Sequence, residues 1–351
     1  MGGEGIVAVD GVLIRPLREY PHCHAPSICE LPDGDLLLAF YAGEYEGAPD
    51  QVILGTRYDR SAGRWSEPEI WVHVFRRATV NPRVFVGPDG VVWLVAPVNY
   101  GEHWCSGGTY LFLKRSSDGG HTWTDLELLV ERKGLLGKNK PLVEGDFVLL
   151  PVEWEATWSA TFLRSEDGGR TWEIVGDLGR AAGAHLIQPT VVRLPDGRLL
   201  AYMRSQEGRI FSSYSTDDGR SWSVPEPTSL PNPNSGIDMV RLRSDNLVLV
   251  YNPTEPLPRS EKLHPAWPRV MPTGFEVWGP RTPLVAAFSE DGGRTWPRRL
   301  VLEDEDGEYS YPAVIQARDG TIHVVYTYRR EAIKHVMLSE DGFLGCAGKE
   351  A

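Results

Sequence analysis

Apolar residues in this chain fall in short, β-branched runs broken at regular intervals by polar turn pairs, and helical periodicity is nearly absent. Thr190-Val-Val-Arg-Leu194 before the pair Asp196-Gly197, and Leu199-Leu-Ala-Tyr-Met203 after it, read as strand, hairpin, strand. The same turn signal recurs at Asp33-Gly34, Asp89-Gly90, Glu144-Gly145, Asp245-Asn246 and Asp319-Gly320. An octapeptide follows in phase with it: Ser116-Ser-Asp-Gly-Gly-His-Thr-Trp123, Ser165-Glu-Asp-Gly-Gly-Arg-Thr-Trp172, Ser215-Thr-Asp-Asp-Gly-Arg-Ser-Trp222 and Ser289-Glu-Asp-Gly-Gly-Arg-Thr-Trp296. Degenerate copies at Tyr58 to Trp65 and Ser339 to Gly342 bring the count to six. In such a segment the Asp carboxylate and the Ser or Thr hydroxyl hydrogen-bond across a tight turn, Gly supplies positive φ, and Trp packs between sheets. The repeat is structural chemistry and carries no catalytic information.

Each unit of roughly 50 residues then holds two inner strands, a third strand ending in the octapeptide and a fourth after its Trp, which is one propeller blade. The expectation is an all-β, six-bladed propeller of four-stranded antiparallel blades, one domain over residues 1–351. The last unit has no apolar fourth strand, so Ile6-Val-Ala-Val-Asp-Gly-Val-Leu-Ile14 from the N-terminus is expected to fill that edge and close the ring. A long insertion, Pro253 to Pro283, carries seven prolines between Pro253 and Pro280 and reads as an ordered loop over one face.

Composition narrows the function classes. With 41% hydrophobic and 24% charged residues over 351 positions the chain is able to bury a large core. A formal net charge of -12 opposes general nucleic-acid binding, because phosphate contacts need a basic surface. Cys23, Cys29, Cys105 and Cys346 lie in no zinc-ligand or CxxC spacing and read as free thiols. No basic start with an apolar run opens the chain and no stretch has the length of a membrane span, so a cytoplasmic, non-membrane protein is expected. Phosphate-loop, HExxH, GxSxG and EF-hand patterns are missing, and no metal or organic cofactor is called for.

Geometry then indicates which residues meet at the propeller mouth, since in a blade the start of the first strand and the end of the second lie at the same end of their hairpin. Pro26, Pro82, Pro189 and Pro312 each stand seven residues before a turn Asp, which gathers His24, Asn81, Gln188 and Tyr311 around the axis. The far ends of second strands add Glu44, Glu153, Arg204, Asn252 and Tyr328 to Arg330; Lys138, Lys140, Asp238, Lys334 and His335 converge on the same end. A shallow bowl with acidic, basic and aromatic walls suits a carbohydrate. Trp154 and Trp158 lie close to it, whereas His22, His185, His264 and His323 read as structural.

The octapeptides resemble the Asp boxes of the sialidase (neuraminidase) superfamily over essentially the whole chain, and Leu230-Pro-Asn-Pro-Asn-Ser-Gly-Ile-Asp238 and Tyr309-Ser-Tyr-Pro-Ala-Val-Ile-Gln316 resemble its large sialidase-like branch. That resemblance implies three arginines clamping a carboxylate, a Tyr nucleophile paired with a Glu, and an Asp acid. By position Tyr311 matches the nucleophile, Arg204 the second arginine, Arg281 the third and Asp50 the acid. Two departures stand out: His24-Ala-Pro26 replaces an Arg-Ile-Pro motif, and Gln188 replaces the Glu that activates Tyr. An amide cannot take a proton from a phenol. The expected function is an exo-glycoside hydrolase acting on a terminal carboxylate-bearing sugar, with catalytic Tyr311, Asp50, His24 and Gln188 and substrate-binding Arg204, Arg281, Asn81, Lys140, Glu153, Asp238 and Arg330. His24 and Tyr311 side by side would alternatively serve a lyase or other uronate-acting enzyme, with His24 as base. A non-catalytic glycan- or protein-binding propeller is the third expectation.

Overall fold

A computed structural model describes residues 11–102, 106–257 and 278–345, whose regular structure is antiparallel sheet apart from two short helices and one parallel bridge. The first sheet runs His22–Glu30, Leu36–Gly43, Val52–Asp59, with Arg64–Trp65 and Glu69–Val72 along its outer edge. The second comprises Arg83–Val86, Val92–Asn99, Thr109–Ser116 and Glu127–Lys133. A nine-stranded sheet follows, in which two antiparallel meanders, one centred on Phe147–Trp154 and Ser159–Ser165 and the other on Leu186–Arg193 and Leu199–Ser205, touch through the single parallel bridge Ser159 to Leu186. Asp238–Arg241, Leu247–Tyr251, Leu284–Ser289 and Arg298–Glu303 form the next. The last sheet joins the two ends of the chain, because Gly11–Ile14 pairs antiparallel with Ala332–Leu338 beside Ile322–Tyr328 and Tyr309–Gln316. Of the expected N-terminal strand, residues 6–10 lie outside the described residues.

The turn pairs sit in the hairpins between first and second strands, where Gly34 and Gly320 take φ of 94° and 93°, a region open to glycine without steric penalty. Each complete octapeptide makes the same set of bonds. In the second, Ser165 Oγ donates to Asp167 Oδ1 at 2.8 Å and accepts from Gly169 N at 2.9 Å, while Thr171 Oγ1 donates to Asp167 Oδ2 at 2.6 Å. These donors, Thr171 first, hold the Asp167 carboxyl well below the usual carboxylate range.

The aromatic of each turn packs on the preceding sheet. Trp123 lies 4.9 Å from Trp71, Trp222 stacks on Phe162 at 4.6 Å, and Trp296 sits 6.1 Å from Tyr202. The last copy departs from the repeat: Ser339 to Gly342 runs into the short helix Glu340–Gly345, whose buried Phe343 stacks on Phe288 at 5.2 Å. The core therefore lies between successive sheets, and one of its clusters joins Val325 and Ile333 of the last sheet to Ile28, Leu38 and Phe40 of the first. Of the long insertion, residues 258–277 lie outside the described residues; its two ends are tied by Leu257 N to Trp278 O at 2.8 Å and Thr254 Oγ1 to Pro280 O at 2.6 Å.

Candidate active site

Four residues that precede a proline at the start of a first strand share one unusual backbone: Ala25, Asn81, Gln188 and Tyr311 take φ of 53°, 37°, 53° and 52°. A residue before proline is normally extended, and the left-handed region is uncommon for side chains other than Gly, so each position is strained. In three of the sheets the strand register breaks at this point, between His24 and Ser27, Ile187 and Thr190, and Ser310 and Ala313. Such bulges re-aim a side chain. Here they turn Gln188 and Tyr311 onto one cavity, which Asn81 also lines, open to solvent and holding about 570 Å³ of empty space.

Tyr311 stands at its centre. Its hydroxyl oxygen accepts from Arg204 Nη1 at 2.7 Å and from Gln188 Nε2 at 3.1 Å, and Gln188 Oε1 accepts from the same Nη1 at 3.1 Å. Flipping the amide would set Nε2 against Arg204 Nη1, donor against donor, so the guanidinium dictates the amide's orientation. Asn234 Oδ1, 2.7 Å from Arg204 Nε, fixes the other edge of that guanidinium. Arg204 and Arg281 lie 5.6 and 5.5 Å from the Tyr311 ring centre, so the phenol sits in a cationic frame.

Arg281 and a third arginine, Arg330, share one carboxylate. Arg281 Nη1 donates to Glu308 Oε1 at 2.6 Å and Arg330 Nε to Glu308 Oε2 at 2.9 Å, and Arg330 Nη1 is also paired with Glu46. Burial opposes charge on Glu46, yet the Arg330 guanidinium beside it prevails and holds its carboxyl below the usual range. Arg204, Arg281 and Arg330 are 3%, 7% and 4% exposed, and all three line the cavity, as do Tyr41, Glu155, Trp158 and Trp278.

Several expected site residues are placed otherwise. Asp50 does not line the cavity; its two oxygens accept from Glu44 N at 3.1 and 3.3 Å and close their own loop, from which Glu46 reaches the site instead. Lys140 and Asp238 are brought together, but with each other: Lys140 Nζ lies 2.6 Å from Asp238 Oδ2, which also accepts from Val314 N, while Oδ1 takes a bond from Thr190 Oγ1 at 2.8 Å. They staple neighbouring sheets and do not line the cavity. Glu153 is fully buried with Arg83, away from the cavity wall, and burial followed by the nearby Glu155 pushes its carboxyl up to about 8.

His24 needs a correction of role. Its ring packs against that of Tyr311, 4.1 Å between centres and tilted by 47°, while Nδ1 bonds Thr327 Oγ1 at 2.8 Å. The Tyr311 hydroxyl is engaged by Arg204 and Gln188 and not by His24. Burial, reinforced by Arg330, holds the His24 pKa well below its ordinary value, so the ring is neutral. Ala25, not His24, occupies the bulge position equivalent to Gln188 and Tyr311. The residue immediately before each proline was the sequence signal for that distinction. Glu46, Glu155, Glu308 and Trp278 carried no signal, because loop residues enter a site only through tertiary folding.

Among the described residues no group of three or more His, Cys, Asp or Glu side chains is arranged to hold a metal, and no helix is long and apolar enough to cross a membrane.

Comparison with known proteins places these features. A family model described as BNR repeat-like domain matches residues 34–324. A sialidase of Micromonospora viridifaciens is 24% identical over 372 residues, covering 93% of this chain and 53% of that protein. The anhydrosialidase of Macrobdella decora is 23% identical over 237 residues, 62% of this chain and 29% of that protein. The chain thus spans about half the length of the first and less than a third of the second. Among solved structures, the Hadza microbial sialidase Hz136 superposes with a TM-score of 0.78 at 18% identity, covering 95% of this chain and 69% of that one. The intramolecular trans-sialidase of Ruminococcus gnavus, solved with oseltamivir carboxylate, superposes with a TM-score of 0.73 at 15% identity, covering 97% of this chain and 99% of that one. The structural likeness gives the fold, a β-propeller, and with a family model that spans most of the repeats it follows that the chain belongs to the BNR repeat-like family of the sialidase superfamily.

Proposed function

We propose that this protein is a six-bladed propeller glycosidase of sialidase type that removes a terminal sugar bearing a carboxylate. The blade count takes the nine-stranded sheet as two blades joined by one bridge, and the sheet shared by Gly11–Ile14 and Ala332–Leu338 as the closing one. The observation that carries the activity is the Tyr311 hydroxyl, held by Arg204 and Gln188 in a cavity with three buried guanidiniums. Arg204, Arg281 and Arg330 are the carboxylate clamp, since guanidinium forks match a carboxylate in geometry and charge. Tyr311 Oη attacks the anomeric carbon as the bond to the leaving oxygen breaks, and the phenol proton passes to cavity water. Two N–H donors on Oη stabilise the negative charge that develops there, which offsets the missing base at Gln188. Glu155 is the cavity carboxyl assigned to protonate the leaving group, as Asp50 is bound into its loop and Glu46 is held ionised by Arg330. Water then hydrolyses the glycosyl-tyrosine.

One observation favours a second reading, a glycan-binding propeller without turnover: Gln188 presents an N–H to the phenol where a base would accept its proton. Purified protein assayed on sialosides, glucuronides and uronate-capped oligosaccharides decides between them. Sugar release that Tyr311→Phe and Arg204→Met both lose supports the enzyme; saturable binding of the same acidic sugars with no release supports the binder.

A further inference from the structure

Beside Tyr311, and not among the residues that line the cavity, the buried dipeptide Lys138-Asn139 touches both strained bulges. Asn139 Nδ2 donates to Gln188 O at 2.9 Å and to Pro189 O at 3.2 Å, gripping the bulge that presents the amide. Lys138 Nζ donates to Pro312 O, directly after Tyr311, to Asn139 Oδ1 at 3.0 Å and to Ile237 O at 3.5 Å. Nζ also lies 6.0 Å from the Tyr311 ring centre. Two residues from one meander thus tie the backbones that carry Gln188 and Tyr311, across two different sheets.

The amine is unusual in its partners. All three are neutral oxygens, and among the described residues no carboxylate lies within ion-pair distance of it; the nearby Asp238 is engaged by Lys140. Three acceptors consume the three protons of an ammonium. A neutral amine would offer two protons and set a lone pair against a carbonyl oxygen.

We propose that Lys138 and Asn139 are positioning residues for Tyr311, an axial clamp that holds the Gln188 and Tyr311 bulges in register and needs the protonated amine to do so. The inference rests on the reading of Tyr311 as the attacking group, but its geometry stands apart from any substrate. Burial, the largest influence, brings the amine down to about 7; of the charged groups that face Nζ, Asp238 opposes this by favouring the ammonium, while Lys140 and Arg204 reinforce it. The clamp is therefore intact below that pH and loosens above it.

The test follows the Tyr311 ring directly in protein labelled with 13C at tyrosine Cζ, its resonance identified by its loss in Tyr311→Phe. In the unmodified protein this resonance should shift through one transition centred near pH 7; Asn139→Ala should displace it and keep the transition, and Lys138→Met should abolish the transition. On an acidic glycoside, kcat of Lys138→Met should fall by about 10²-fold with KM little changed, and Lys138→Arg should recover most of it. A Tyr311 resonance that ignores pH around 7 in the unmodified protein, or a transition that survives in folded Lys138→Met, overturns the clamp. Turnover of no acidic glycoside by the unmodified protein would instead sink the glycosidase reading, and the resonance would still decide on Lys138.

Discussion

At the scale of single residues, the amide of Gln188 is the sharpest chemical feature of the site, because Arg204 permits it only one orientation and that orientation donates to Tyr311. Gln188→Glu would replace this donor by an acceptor able to take the phenol proton. Turnover of an acidic glycoside by Gln188→Glu is expected to rise by about 10²-fold, with a new acid limb in the pH profile as the carboxylate protonates. An unchanged rate would show that Oη needs no base. Arg330 serves two carboxylates, Glu46 and Glu308, from a site only 4% exposed. Arg330→Met leaves the half-buried Glu46 without that partner and Glu308 with Arg281 alone, and is expected to lower stability by about 1–3 kcal/mol in chemical denaturation, while raising KM for acidic sugars.

At the scale of elements, the interface between the last sheet and the first contains a hydrogen-bonded chain that tolerates no extra proton. Trp65 Nε1 donates to His335 Nδ1 at 3.1 Å, so His335 carries its hydrogen on Nε2 and gives it to His323 Nδ1 at 2.9 Å. Protonating either ring sets donor against donor. Burial lowers His323 to about 4, with Asp319 opposing and Arg60 assisting, and burial together with His323 lowers His335 to about 3. Both folded-state values lie below the ordinary 6.5, so the unfolded chain binds more protons as acid is added. Stability is complete above about pH 6.5 and is lost toward pH 4, with His323 alone contributing about 3 kcal/mol of that loss. Thermal unfolding between pH 7 and pH 4 should show the fall, and His323→Gln should flatten it; parallel curves would refute the assignment. The octapeptides on neighbouring elements have no such sensitivity until far lower pH, because their carboxylates are held ionised by local donors such as Thr122 and Thr171.

At the scale of the whole molecule, the pairing of Gly11–Ile14 with Ala332–Leu338 lets the chain's two ends share one sheet, with Ile14 buried among side chains of the first and last sheets. Removing residues 1–14 uncovers an edge strand and part of that cluster. The truncated protein is expected to unfold at lower temperature and to aggregate with rising concentration, as seen by thermal unfolding with light scattering. A melting curve that matches the full chain would show that this strand adds little.

The strands, the hairpin turns and the Trp-bearing octapeptides were legible along the chain because each depends on residues within a few positions of one another: an Asp that bonds a Thr four residues on, or a Gly that takes positive φ. The location of the site was legible in part for the same reason, since a proline seven residues before a turn marks the left-handed position at Asn81, Gln188 and Tyr311. Side-chain partners were another matter. That His24 sets its ring against Tyr311, that Glu46 enters the site on Arg330, that Lys140 and Asp238 hold each other, and that Lys138 grips the strand just after Tyr311 were all settled by contacts between different sheets. Local repeats specify the blade-like unit by short-range bonding, whereas a buried charge takes whichever partner the packed sheets bring within reach, and only the assembled tertiary structure decides which that is.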